Sequence, residues 1–436
     1  MSRTLHRISL GLGANAFGQI VTVAIQLISL PAFLHFWPLS RYGEWLLLAA
    51  IPAYLSAVDI GILSVGMNRM AILAAMGDIK AAERIFQSLL CFATAVILVV
   101  ACVVLPAIWL IHAGDWGTNF EHRLTLSLLV IADLACIYTG LFEAVFRVCD
   151  RYALGVLALN FARLAEWLGS LVGLVMGGTL VDVGLGLLAG RLIATASTCI
   201  YQIYRYPNYR WSFRGASKAE LVSMVAPGLS FLALPAANAL SIQGMVILIG
   251  TMFGTPALAV FSAYRTLSRI AFQLINMLSR VLWPEFSRRF GEKDYGTMHE
   301  LCRYGTLATV VASLGGAAVL YFIGPFLLHW WTHGKIVYIP GLFNILLIVT
   351  AFSGSYQVGL ILLAAVNKLA GLSIVYISAS LLSVGASYLA GKRFGIDGAT
   401  AAMILTEVVM ICTCYFYVRG FFDEHTPRRT PSLAPQ

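Results

Sequence analysis

The sequence predicts an all-α polytopic membrane protein, with about twelve transmembrane helices in two six-helix bundles related by a parallel repeat. Three observations predict it. Of 436 residues, 59% are hydrophobic and only 11% charged, with a mean hydropathy of +0.84; an average soluble domain carries about 25% charged residues. The apolar residues gather into runs of about 20 or more, the length that crosses a bilayer as a helix. The polar turns between those runs recur in a second half of the chain. So few polar residues cannot coat soluble domains of this length. An intrinsically disordered chain, a secreted disulfide scaffold and a soluble enzyme are excluded on the same ground.

The predicted spans follow in order. Met1 to Arg7 is basic and precedes a long apolar run without a small-residue cleavage motif, so the first span, 11–34, is expected to stay uncleaved. Spans at 45–66, 88–111, 124–146, 153–176 and 181–203 complete the first half. The second half holds 221–248, 257–283, 304–328, 340–364, 369–390 and 395–418. The seventh carries Pro227 and Pro235, which a membrane helix tolerates where neighbours or water satisfy the freed carbonyls.

Charge orients the spans. With the N-terminus inside, twenty Lys and Arg fall in cytoplasmic segments and five, Arg41, Arg123, Lys335, Lys392 and Arg393, in external ones. Positive residues concentrate on the cytoplasmic side of membrane proteins, so both termini are read as cytoplasmic. Most of the net charge of +9 is then topological and needs no nucleic-acid partner. Trp37, Trp45, Trp109, Trp116, Trp330 and Trp331 gather at the external span ends, where an interfacial belt is expected. The eight cysteines sit in or beside apolar runs and read as small apolar residues.

Repetition divides the chain. Gly77-Asp78-Ile79-Lys80 follows the second span and Gly291-Glu292-Lys293-Asp294-Tyr295 the eighth, an offset of 291 minus 77, or 214. Similar offsets place Arg151 to Gly155 near Lys368 to Gly371, and Asp182-Val183-Gly184 near Asp397-Gly398. We expect an N-terminal bundle over 1–203, a basic cytoplasmic linker over 204–220, a C-terminal bundle over 221–418 and a cytoplasmic tail over 419–436. An even number of spans per repeat makes the halves parallel, a layout suited to alternating access. No loop is large enough to fold a catalytic domain, so no enzyme and no cofactor is expected.

Polar residues inside the spans carry the functional reading. Asn15, Gln19, Thr22, Gln26 and Ser29 recur at steps of 3 or 4 in the first span, which is one helix face. Ser262, Arg265, Arg269, Gln273, Asn276 and Arg280 do the same in the eighth. Such stripes face either a water-filled cleft or a neighbouring helix. Arg265 and Arg269 lie about 12 and 18 Å from the external start of their span at 1.5 Å per residue, close to the midplane. One such charge costs at least about 2.5 kcal/mol. A diphosphate would relieve the pair through forked, charge-assisted hydrogen bonds; a structural pairing with Glu407 or Asp59 would also relieve it. Asp59 and Glu407 are thus candidates for a counter-charge or for carrying a coupling H⁺ or Na⁺. Asp133, Arg163, Glu166 and Arg191 are two negatives and two positives near mid-depth of spans four to six, and read as an internal ion network. His329 and His333 are spaced i, i+4 but lie in an aromatic patch without further ligands, so no metal site is expected.

Asn15 to Phe33, Arg41-Tyr42-Gly43-Glu44-Trp45, Tyr54-Leu55 through Asp59-Ile60-Gly61, and Pro284-Glu285-Phe286-Ser287 resemble the corresponding segments of bacterial polysaccharide transporters. These are the O-antigen-type lipid-linked oligosaccharide flippases of the multidrug/oligosaccharidyl-lipid/polysaccharide exporter superfamily. The resemblance in layout covers essentially the whole chain. It implies an inner-membrane protein that moves a lipid-diphosphate-linked glycan for cell-surface polysaccharide, such as the O-antigen of lipopolysaccharide, by alternating access. Its partners would be that lipid-linked oligosaccharide and the bilayer. Only Asp59 is carried over by motif. A cation-coupled drug or metabolite antiporter of the same superfamily shares the layout and stands as the alternative.

Overall fold

A computed structural model of the chain describes residues 2–110, 119–149, 151–366 and 368–425. Every regular element among them is helical: α1 (Ser2–Phe36), α2 (Leu39–Ala50), α3 (Ala53–Ala75), α4 (Ile79–Leu110), α5 (Phe120–Val148), α6 (Tyr152–Met176), α7 (Leu180–Arg205), α8 (Lys218–Phe253), α9 (Thr255–Gly291), α10 (Tyr295–Thr332), α11 (Pro340–Ser355), α12 (Gln357–Ala365), α13 (Ala370–Ala401) and α14 (Met403–His425). Ten helices among the described residues are long and apolar enough to cross a membrane. The protein is an all-α polytopic membrane protein.

Each of the twelve predicted spans falls on a helix or a helix pair, and the irregularities have local causes. The second span breaks between α2 and α3 at Ile51-Pro52, because proline lacks the N–H that the ladder needs and crowds the preceding turn. The tenth breaks between α11 and α12 at Tyr356. Inside α13, Gly395 takes φ 68°, a left-handed conformation open to glycine, and separates two helical segments. The twelfth span therefore starts at Ile396 and continues into α14.

The chain forms two compact units, Met1–Ala259 and Val260–Gln436. The first includes α8, which packs against α2, α3 and α4, so the compact boundary lies beyond the 204–220 segment. A Cβ on Gly61 would lie 2.2 Å from the Gly228 carbonyl oxygen, so α3 and α8 meet backbone to backbone. The α6–α7 hairpin is closer still. A Cβ on Gly169 would lie 2.0 Å from the Gly186 oxygen, and one on Gly186 2.0 Å from the Gly169 oxygen. In lipid no hydrophobic force draws helices together, and such close packing holds them instead. Thr179 and Asp182 cap α7 reciprocally, with Asp182 N–H donating to Thr179 Oγ1 at 3.1 Å and Thr179 N–H to Asp182 Oδ2 at 3.1 Å.

The segment between α7 and α8 is fastened to the first unit. Tyr209 and Trp211 set their rings 6.1 and 5.8 Å from Phe86. The Gly215 and Ser217 amides donate to Gln87 Oε1 and Ser88 Oγ at 2.7 and 2.9 Å.

The two units repeat turn by turn. Asp78 N–H donates to the Leu73 oxygen and Gly77 N–H to Ala74; Asp294 N–H donates to Arg289 and Lys293 N–H to Phe290. All four positions are offset by 216. Arg151 to Phe146 and Cys149 to Val145 recur as Lys368 to Leu363 and Val366 to Leu362, offset by 217. The expected offset of 214 is corrected accordingly. Gly77, at φ 84°, is matched by Lys293, at φ 58°, and not by Gly291.

Candidate functional site

The second unit gathers the polar stripe of α9 against α11–α14. Arg265, Arg269, Gln273 and Asn276 follow at steps of 4, 4 and 3, so one face of α9 presents them all. The Arg265 guanidinium lies 5.5 Å from the Phe261 ring centre and Arg269 5.2 Å from that of Phe272, positions that favour a cation over an aromatic face. Glu407, from α14, meets the hydroxyls of Ser353 and Tyr356 and lies within electrostatic reach of Arg269. Its Oε2 is enclosed and has no hydrogen-bond partner. Tyr376 from α13 faces the same carboxylate and arginine. One step along the chain from Tyr356, Gln357 Nε2 donates to Asn276 Oδ1. The break at Tyr356 thus delivers two side chains of the tenth span to the α9 stripe.

Of the partners expected for Arg269, the structure brings Glu407. Asp59 falls in α3, but its side chain lies outside the described residues. Ser353, Tyr356, Tyr376 and Gln357 were not singled out in the sequence. The run Ser353-Gly354-Ser355-Tyr356-Gln357 inside an apolar span was the available signal for three of them, and Tyr376 had none.

In the first unit, Arg191 forms an ion pair with Glu166, and Glu166 also feels the charges of Asp133 and Arg163. These four side chains form one cluster among α5, α6 and α7. The stripe of α1 turns partly onto α6: Trp167 Nε1 donates to Ser29 Oγ at 2.9 Å, and Asn15 Nδ2 to the Tyr152 hydroxyl at 3.4 Å. Thr22 bonds to the Gly18 carbonyl of its own helix at 2.8 Å. Gln19 is half-buried and Gln26 exposed.

The tryptophans correct the expected belt in part. Trp37, Trp45 and Trp331 are only 5%, 8% and 7% exposed, whereas Trp109 and Trp330 are 38% and 67% exposed; Trp116 lies outside the described residues. Trp37 Nε1 donates to the Gly178 oxygen at 2.6 Å, and its ring meets Phe33 at a tilt and Trp45 edge-on. Beside it, the Arg41-Tyr42-Gly43-Glu44-Trp45 motif works as a clamp. Arg41 pairs with Glu121 and, at 3.1 Å, with Glu44, and Leu180 N–H donates to Glu121 at 3.0 Å. Burial pushes the Glu121 carboxyl up, but the Arg41 hydrogen bond, the Leu180 amide and the neighbouring charges outweigh it and hold the group below its ordinary value. Gly43 lies so close to Thr255 that a Cβ would fall 1.9 Å from its carbonyl oxygen. His333 is the left-handed cap of α10, at φ 51°.

No family model matches the chain, and no curated protein matches it. Solved structures do. An inward-facing multidrug resistance MATE family transporter of the MOP superfamily superposes with a TM-score of 0.78, covering 94% of this chain and 100% of that one at 13% identity. An outward-facing structure of a transporter of that description gives a TM-score of 0.69, over 95% and 96% of the two chains, at 13% identity. A MATE protein in complex with MaL6 gives 0.63 over 96% and 95%, also at 13% identity. Over nearly its whole length the chain therefore shares its fold with MATE proteins of the MOP superfamily.

Proposed function

We propose that the protein is an inner-membrane flippase that carries a lipid-diphosphate-linked oligosaccharide across the bilayer by alternating access, for cell-surface polysaccharide. The observation that carries this reading is the charge inventory of the second half at mid-depth: two arginines, Arg265 and Arg269, against one glutamate, Glu407. A diphosphate carries negative charge to both arginines and matches the guanidinium fork. Gln273 and Asn276, on the same face of α9, would meet the hydroxyls of a sugar. The lipid tail stays in hydrocarbon throughout.

The test is the double variant Arg265→Gln, Arg269→Gln in a host that depends on the protein for surface glycan. The expected outcome is loss of surface glycan and accumulation of the lipid-linked precursor, with the protein present at its normal level in the membrane. Normal glycan export by that variant overturns the reading.

A second reading, a cation-coupled drug antiporter, is favoured by the multidrug resistance transporters that share this fold and by the enclosed carboxylate oxygen of Glu407. Drug resistance conferred by the wild-type chain, abolished by Glu407→Gln and indifferent to the double arginine variant, would select it over the flippase.

A further inference from the structure

The α9 stripe and α14 share one cation. Arg269 is the positive charge nearest to hand for the Glu407 carboxylate, and it is also one of the two guanidinium groups assigned to the diphosphate. Two anions facing one guanidinium in a poorly solvated place repel each other, and one of them is driven to its neutral form. The diphosphate of a glycosyl lipid is a diester and stays ionised. Glu407 is the group able to take the proton, and its geometry is ready for one. Ser353 and Tyr356 meet the carboxylate, while its enclosed Oε2 lacks any hydrogen-bond partner. Such an orphaned oxygen is costly as a charge and well placed to become a hydroxyl.

We propose that Glu407 is the proton-binding partner of the diphosphate site, taking up one proton on Oε2 for each diphosphate that occupies Arg265 and Arg269. The inference rests on the flippase reading. The proton comes from water; an O–H bond forms on the carboxylate, and the Glu407–Arg269 attraction is exchanged for one between Arg269 and phosphate. Release of the lipid returns Arg269 to Glu407 and expels the proton, so binding and proton uptake are reciprocally linked. The other charged or titratable groups facing this carboxylate are Arg269 from α9, Tyr356 at the α11–α12 break and Tyr376 from α13. An arginine and two tyrosine hydroxyls keep their protons between about pH 6 and 8 in general, which leaves Glu407 to respond.

The experiment uses the full-length protein in lipid nanodiscs and farnesyl-diphosphoryl-N-acetylglucosamine, a diphosphate diester that does not itself titrate in this range. Calorimetry in buffers of differing ionisation enthalpy counts the protons taken up per molecule bound. Wild-type protein is expected to take up close to one proton at pH 8 and to lose about tenfold in affinity per pH unit there. Glu407→Gln, which imitates the protonated state, is expected to bind with no proton uptake and with an affinity flat in pH. Difference infrared spectroscopy of the wild type should show a protonated-carboxyl band appearing with the ligand, and this holds the proposal to account even if the variant fails to fold. Ligand binding by the wild type without proton uptake or that band overturns the proton inference and leaves the diphosphate reading standing. Failure of the wild type to bind the ligand at any pH overturns both.

Discussion

Arg191 and Glu407 stand at the same place in the two units, 407 minus 191, or 216, residues apart, yet they carry opposite charges and opposite circumstances. Arg191 is closed in by Glu166, with Asp133 and Arg163 completing a set of two negatives and two positives. Glu407 has two hydroxyls, a shared arginine and an oxygen without a partner. The helix breaks differ in the same way. The one at Ile51-Pro52 has its equivalent near position 267, inside the unbroken α9, and the one at Tyr356 near position 140, inside the unbroken α5. The repeat thus preserves the turns at 73–78 and 145–151 to within one residue while charge and broken helices are specific to each unit. A balanced charge set explains itself as structure. The unbalanced one is where the proposed diphosphate would act.

The largest effect expected from this comparison is on stability. Arg191→Ala leaves Glu166 in a place built for a pair, and removing one partner of a buried pair costs about 3–5 kcal/mol. A clear fall in the thermal unfolding temperature of the detergent-solubilised protein is expected, largely reversed when Glu166 is also replaced, as in Arg191→Met with Glu166→Met. Glu407→Gln keeps the shape of its side chain and disturbs hydrogen bonds worth about 1 kcal/mol. Equal losses from Arg191→Ala and Glu407→Gln would break the distinction between a structural and a functional charge.

Next in size is a pair of glycines, again 216 residues apart. Gly169 abuts the Gly186 carbonyl, whereas around Gly385 nothing lies within 4 Å of a Cβ. Gly169→Ala forces α6 and α7 apart and should cost about 1–3 kcal/mol, the range for overpacking. Gly385→Ala should leave the unfolding temperature unchanged or raise it slightly, since alanine suits a helix interior better by roughly 0.5–1 kcal/mol. Unfolding curves of the two single variants decide it. If both fall alike, the hairpins of the two units are packed in the same way after all.

Much of this was legible before any coordinates. Runs of about 20 apolar residues located all twelve spans, because bilayer thickness dictates that length. The repeat was visible too, but matching Gly77 to Gly291 missed the register by two. What recurs there is a left-handed turn residue, and in the second unit a lysine fills it at φ 58°. Tryptophans at span ends suggested lipid, yet Trp37 has a carbonyl partner in Gly178, 141 residues away. The charges Arg269 and Glu407 stood out by their scarcity. The hydroxyls of Ser353 and Tyr356 did not, because Ser353 is one small residue in an apolar helix and Tyr356 stands at a break in the tenth span, which no periodicity announces.

Smaller again are the caps at the turns that repeat most faithfully. Asp78 Oδ1 accepts from Ala81 N–H at 2.9 Å and opens α4; Asp294 Oδ1 accepts from Thr297 N–H at 3.1 Å and opens α10. Asp78→Ala should cost about 1 kcal/mol, and Asp294→Ala should lower the unfolding temperature in the same direction. Asp294 differs in also accepting from Arg289 at 2.9 Å, and the Thr297 hydrogen bonds together with Arg289 hold its carboxyl below the ordinary value. Asparagine, which also caps helices, should restore Asp78→Ala more fully than Asp294→Ala, because an amide cannot replace the charge beside Arg289.

The smallest effect separates the units by pH. The end of the first unit near Trp37 is fastened by charge, Arg41 to Glu121 and Glu121 to the Leu180 amide. At the equivalent place, 216 residues after Glu121, the second unit is fastened without charge. The Tyr264 hydroxyl donates to the Val337 oxygen at 2.6 Å and accepts from Ile339 N–H at 2.7 Å. Glu121 is held below its ordinary value in the folded protein. Its contribution is therefore complete above the ordinary carboxylate range and is lost as pH falls through its own lowered value. For a pair this exposed the loss is about 1 kcal/mol or less. Amide hydrogen exchange, corrected for its intrinsic pH dependence, should show the start of α7 opening more often as the pH falls through the carboxylate range. The start of α11 should hold constant. Glu121→Gln should abolish the difference, and a matching acid response at both places would mean that something other than this carboxylate holds the first unit's end together.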